Sequence, residues 1–166
     1  MGCTHEKLVL DREAYLEGLL EAGIPLDLGR LPALRHFKFL EQGSLEKNVT
    51  LLKFLNQLLS PSTSSSGIET LEIDITYYHV DDGQGKDLLS HAGWSRLDNL
   101  FTSEKFVSLR KVVLSLVLEM EEVDDLELER RDTLPYVSAL FPMFRALADT
   151  QQADTQRTLE IHFQVV

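Results

Sequence analysis

Apolar residues recur at two spacings along this chain, and the two spacings take turns. Between Gly93 and Glu119, the residues Trp94, Leu97, Leu100 and Phe101 fall three and four positions apart, which places them on one face of a helix. Past Phe106 and Leu109 the period shortens. Val112, Leu114, Leu116 and Leu118 then alternate with Lys111, Val113, Ser115 and Val117, the pattern of a strand rich in β-branched residues. The stretch is predicted to run helix, short connection, strand.

The same strand entry recurs. Leu31, Leu34, Phe37 and Phe39 form one copy, Ile68, Leu71, Ile73 and Ile75 a second, and Leu159, Ile161, Phe163 and Val165 the last; Leu8 and Leu10 make a weaker first copy. Equivalent positions are Leu8, Phe37, Leu71, Val112 and Leu159, spaced 29, 34, 41 and 47 residues apart. A repeat whose length drifts in this way carries loops of different size on a constant unit. Helical patterns fill the gaps. Asp11 is placed to cap a helix over residues 12–22 that stops at Gly23 before Pro25, and Ser44 to cap one that stops before Pro61. Leu134, Val137, Leu140, Phe144 and Leu147 share helical spacing, with a break expected near Phe141 because Pro142 cannot continue a helix.

Strands alternating with helices pair in parallel through right-handed crossovers. Strands of a doubly wound sheet are buried on both faces and read as continuous apolar runs. Here Glu72, Asp74 and Thr76 interleave with Leu71, Ile73 and Ile75, and Glu160, His162 and Gln164 with Leu159, Ile161 and Phe163. One polar face means helices on one side only. The expected fold is therefore a single α/β repeat domain over residues 1–166, with about five strand–helix units and the first (residues 1–24) the weakest. It is a leucine-rich-repeat-like solenoid, parallel strands on one face and helices on the other. Val113 and Val117 interrupt the polar face of the fourth strand, where a local cover is expected.

The segments "LPALRHFKF", "IETLEIDI" and "WSRLDNLFTSEKFVSLRKVVLSL" resemble leucine-rich-repeat regions of the large fungal F-box-type protein families, in which a "W..LD..L....F..L..V.L" unit precedes a strand. The resemblance spans roughly residues 25–166. It implies a curved horseshoe that binds other proteins. In full-length members an F-box docks onto a Skp-type adaptor and the repeats recruit a substrate for ubiquitination. No F-box pattern precedes the repeats here, and the regular asparagine of such repeats is missing.

Charge narrows the partners. The formal net charge is −11 over 166 residues, with 43% hydrophobic and 26% charged residues, an ordinary globular composition. An excess of acid disfavours nucleic acid and anionic membrane surfaces, and leaves basic protein partners open. Cys3 is the one cysteine, so no disulfide joins two parts of the chain. With no signal-peptide pattern at the start and no apolar run long enough to span a bilayer, an intracellular site, cytoplasmic or nuclear, is expected. The opening Met-Gly-Cys departs from the myristoylation pattern at Glu6, where Ser or Thr is required.

Candidate chemistry is sparse. The five histidines show no metal-ligand spacing. "DDGQGKD" fails as a phosphate loop, because Val80 stands at the first glycine position and Asp87 follows Lys86; it reads as a flexible strand-to-helix loop. "PSTSSSG" reads as another flexible connection. No nucleophile elbow is present. No catalytic residue, metal or cofactor is expected, and the chain reads as a non-catalytic protein–protein interaction module, a substrate-recognition repeat region related to F-box ubiquitin-ligase components. Two other readings stand beside it: a small α/β ligand-binding or hydrolase-like domain, and a gene fragment with no independent role. Partner-binding candidates are Glu72 and Asp74, with Glu160 and His162, on the polar strand face. Asp81 and Asp82 join Glu121, Glu122, Asp124 and Asp125 in two acidic loops that leave the sheet at the same edge. The segment "EMEEVDDLELERRD" is otherwise a solvated loop or short exposed helix. The last strand is expected to leave an open apolar edge, relieved by pairing with another copy or with further repeats of a longer parent protein, and concentration-dependent self-association is expected.

Overall fold

A computed structural model describes residues 6–11, 31–44, 48–59, 66–81, 83–121, 126–150 and 156–166. Five strands form one sheet: β1 (Lys7–Asp11), β2 (His36–Ser44), β3 (Thr70–Val80), β4 (Lys111–Met120) and β5 (Thr158–Val165). Helix α1 (Asn48–Leu59) connects β2 to β3. Helices α2 (Gln84–Ser90) and α3 (Ala92–Phe101) and a 3-10 turn (Glu104–Phe106) connect β3 to β4, and α4 (Leu126–Ser138) and α5 (Pro142–Asp149) connect β4 to β5. The strands lie in the order β1-β2-β3-β4-β5 and every neighbouring pair is parallel. The chain thus steps one place across the sheet at each crossover, always in the same direction. Among the described residues no helix is long and apolar enough to cross a membrane.

Pairing registers put the equivalent sequence positions in one row, Leu8↔Phe37↔Leu71↔Val112↔Leu159. That row and the ones two and four residues on (through Phe39, Ile73 and Leu114, then Ile75 and Leu116) face the core, and each of these apolar residues is fully buried on β2, β3 and β4; the β2 member of the third row is Glu41, 6% exposed. The residues between them are only partly buried. The apolar phase of each strand decides its register, because a slip of one residue would turn its whole apolar set to water.

Helices pack against the core face. Trp94, Leu97 and Phe101 of α3 are buried, as the spacing predicts, in one cluster with Ile73 and Leu114. The Trp94 indole donates to Leu88 O at 2.9 Å, which satisfies its one polar group at the α2–α3 junction. Gly93 lets α1 and α3 approach closely: a Cβ there would lie 2.6 Å from Leu52 Cβ. Asn56 fastens the same contact, its Nδ2 donating to Gly93 O at 3.2 Å and to Leu52 O at 2.6 Å.

The break at Pro142 is present and has a partner the sequence pattern did not disclose. Phe141 adopts a left-handed conformation (φ 53°) between the two helices. Its ring is held between Trp94 (5.8 Å, edge-on) and Phe101 (5.6 Å). The first free N–H groups of α5 then point at Asp98 of α3: Met143 N donates to Oδ2 at 2.8 Å and Phe144 N to Oδ1 at 2.9 Å. A buried carboxylate from another helix thus caps α5.

Several expectations are corrected. "DDGQGKD" is not wholly loop, since α2 begins at Gln84. A reciprocal pair starts it, the Gln84 side chain accepting from Asp81 N and donating to Asp81 Oδ2, with Gly83 at φ 80° in the turn. From Leu126 the acidic segment after β4 is helix α4, mostly exposed and so one of the two forms expected; Glu129 departs from that expectation, being buried and taking the Thr133 hydroxyl on its backbone oxygen at 2.6 Å. Leu134 and Leu147 are exposed although they share helical spacing with buried Val137, Leu140 and Phe144. Of "PSTSSSG" only Ser66 and Gly67 are among the described residues, and there Ser66 Oγ accepts from Ile68 N at 3.2 Å. The helix expected over residues 12–22 lies outside the described residues, as do residues 45–47 after Ser44, which itself ends β2.

Candidate interaction surface

Because side chains alternate along a strand, every residue between the core-facing rows lies on the second face of the sheet. That face has four full rows across β2 to β5, the first three being His36, Thr70, Lys111, Thr158; then Lys38, Glu72, Val113, Glu160; then Leu40, Asp74, Ser115, His162. A fourth row holds Gln42, Thr76, Val117 and Gln164. Val113 and Val117, where a local cover was expected, are partly exposed in the middle of this face.

Lys38 is the hub of the charged part. Its ammonium lies 2.5 Å from Asp74 Oδ2 and 3.4 Å from Glu72 Oε2. The hydrogen bond to Asp74 raises the Lys38 ammonium above its usual value; burial opposes this, and the Asp74 and Glu72 charges add to it. Glu72 Oε1 also lies 2.9 Å from His36 Nε2. A second cluster spans β4 and β5, with Lys111 Nζ 2.7 Å from Glu160 Oε1 and His162 Nε2 3.9 Å from Glu160 Oε2. Of the strand-face candidates, then, Glu72 and Asp74 converge on one lysine, and Glu160 and His162 lie two strands away in the same rows.

Of the two acidic loops, the first residues Asp81 and Glu121 are described, and both follow strand ends at one edge of the sheet. At the end of β3, Tyr78 and His79 stand opposite the single residue Glu119, a bulge that resets the alternation so that Val80 again faces the core. His79 takes a left-handed conformation (φ 55°) and its Nδ1 lies 3.3 Å from Glu121 Oε2. Glu121 N donates to Val80 O at 3.3 Å, which sets Glu121 beside the chain position preceding Asp81. An open groove of about 310 Å³ runs there, lined by Tyr78, His79, Glu119, Met120 and Glu121. Asp82, Glu122, Asp124 and Asp125 lie outside the described residues. In the helices that follow the two loops, Lys86 of α2 reaches Asp132 of α4 at 3.4 Å.

Lys38, Tyr78 and His79 were not among the sequence candidates. Lys38 was within reach of the sequence, because aligning Phe37 with Leu71 sets Lys38 opposite Glu72. His79 was not, since a bulge leaves no mark in an alternating pattern. No protein-family model, no curated protein and no solved structure matches the chain.

Proposed function

We propose that the chain is a leucine-rich-repeat-like solenoid acting as a non-catalytic protein-interaction module, and that its partner docks on the second face of the sheet. One observation carries this reading. Parallel sheets are ordinarily covered on both faces, yet the described residues leave this one partly exposed over β2 to β4, with Leu40, Val113 and Val117 set among the Lys38 and Lys111 ion pairs. Apolar centre and charged surround are the anatomy of a protein–protein contact. The bulged edge with Glu121 adds acid beside it, and a basic partner surface would complement that edge. The resemblance to repeat regions of F-box-type proteins agrees with a substrate-recognition role.

The test is affinity purification from the native cell with the parent chain and with a Val113→Arg, Val117→Arg double variant. These side chains lie off the core, so thermal melting should be close to the parent's. A partner held by the parent and lost by the variant supports the reading; equal retention overturns it. Presence of a Skp-type adaptor in the parent eluate tests the ubiquitin-ligase link separately.

A further inference from the structure

Strand β5 is one end of the sheet, and its core-facing side chains are not finished. Leu159, Ile161 and Phe163 are only partly buried, whereas Val112, Leu114 and Leu116, their partners on β4, are 0–1% exposed. The backbone of β5 has a definite parity. Thr158 N donates to Arg110 O, Val166 N donates to Leu118 O, and Val166 O accepts from Met120 N. In a parallel ladder a residue's N–H and C=O point to the same side, and the side alternates along the strand. Even-numbered residues therefore bond to β4. The N–H and C=O groups of Leu159, Ile161, Phe163 and Val165 point out of the sheet's edge, where no described strand pairs with them.

We infer that this edge is self-complementary and docks a second copy of the chain, β5 against β5 in antiparallel register about a two-fold axis through Ile161. The parity allows only registers that set odd residues opposite odd ones. With the axis at Ile161, the two Ile161 residues exchange both backbone hydrogen bonds, and Leu159 faces the partner's Phe163. Glu160 then faces the partner's His162 in a non-hydrogen-bonded pair, the closer kind, where side chains meet. The contact occurs twice by symmetry. Moving the axis one residue either way sets Glu160 against Glu160 or His162 against His162. Lys111 holds one oxygen of Glu160, at 2.7 Å, and the other lies 3.9 Å from the chain's own His162 Nε2, an exposed contact long enough for the partner's His162 and Glu160 to replace it at closer range. A dimer of this kind closes the edge and makes one ten-stranded sheet from the two five-stranded ones. It also presents the two exposed faces side by side.

Sedimentation over a wide concentration range, at pH 6, should show a monomer–dimer equilibrium that stops at the dimer. His162→Glu sets Glu against Glu160 of the partner, and Glu160→Lys sets Lys against His162. Each variant alone should dimerise about tenfold more weakly, because two cross-strand pairs change from opposite to like charge. Mixed together, the two variants should form a heterodimer with close to the parent affinity, since each variant's added charge then faces the opposite one. A readout that does not depend on charge is a cysteine at the axis. In a Cys3→Ser background, Ile161→Cys should give a dimer that reductant dissolves, as opposed residues about 5.5 Å apart are within disulfide reach. Gln164→Cys, six residues from its own copy across the axis, should not. A parent chain that stays monomeric, growth beyond the dimer, no rescue on mixing, or equal cross-linking at both positions would each overturn the proposal.

Discussion

Replacing Asp98 by Ala removes the cap that holds α5 in place, and the cost can be worked from two hydrogen bonds. The carboxylate is almost fully buried and accepts from Met143 N at 2.8 Å and Phe144 N at 2.9 Å. Hydrogen bonds to charged groups contribute about 1.5–3 kcal/mol each. Against this stands the burial cost of the carboxylate, which the variant recovers. Ordinary cap deletions, where the cap is local and exposed, cost about 0.5–2 kcal/mol. Phe144 N lies in the core and finds no water once the cap is gone, so a loss of about 2–4 kcal/mol is expected. For a domain of this size about 3 kcal/mol lowers the melting temperature by about 6–12 °C. Asp98→Asn should fall between, since an amide can accept one N–H but sets its own NH₂ against the other. Trp94 is the one tryptophan and lies edge-on to Phe141 at the start of α5, so its fluorescence reports the affected junction. Urea unfolding followed by that signal and by far-ultraviolet circular dichroism gives the difference, with exposed Asn99→Ala as the control. A loss below about 0.5 kcal/mol would mean that the cap contributes nothing and that stacking of Phe141 alone sets the helix break.

Two further outcomes follow from the same geometry. Leu114→Ala should cost about 2–5 kcal/mol in urea titration, because the side chain is fully buried at the centre of the sheet and leaves a cavity; a loss under half a kcal/mol would place it on the wrong face. Lys38→Met should destabilise the fold at neutral pH by leaving Glu72 and Asp74 without their cation. Since folding raises the Lys38 value, its contribution is full below the ordinary lysine value of 10.5 and is lost as pH climbs through the raised one, so the gap between parent and variant should close in that alkaline range. A gap that stays constant with pH would separate the destabilisation from the ion pairs.

The register of the sheet was legible because a single apolar phase, repeated on each strand, has one way to face a common core. That is why five positions matched by eye from Leu8 to Leu159 fall in one row. Where the chain departs from its period, a local rule gave way to a tertiary one. Helix α2 has seven residues with Gly83 before it and Gly85 inside it, so its composition reads as loop; packing of Leu88 and Leu89 into the core makes it helix. Glu129 reads as one more acid in a solvated run, yet α4 turns it inward where Thr133 and the close approach of Gly85 surround it. Phe141 reads as the end of a helix, and nothing local indicates that aromatic contacts would hold it at positive φ. Asp98 is the instructive case. It stands in the "WSRLDNL" run that carried the family resemblance, and its work in this fold is to cap a helix 44 residues further along the chain.

The candidate surface was legible in a narrower way, and the reason bears on how a partner would be recognised. Alternation gives the face on which Glu72, Asp74, Glu160 and His162 lie, but not what stands next to them. Two of the acids are drawn onto Lys38 and one onto Lys111, so much of the negative charge of this face is already answered from within. A basic partner would have to displace those lysines, and exposed or half-exposed ion pairs exchanged in this way return little net energy. On the proposed reading, affinity on the sheet face therefore comes from the partly exposed Leu40, Val113 and Val117, with the ion pairs fixing orientation. Attraction of a basic partner over distance belongs instead to the bulged edge. There, among the described residues, Glu121 is paired with His79, and its charge is screened over about 8 Å at physiological ionic strength. On the proposed reading, charge at the edge would set how fast a partner arrives, and the valine seam in the middle of the sheet how long it stays.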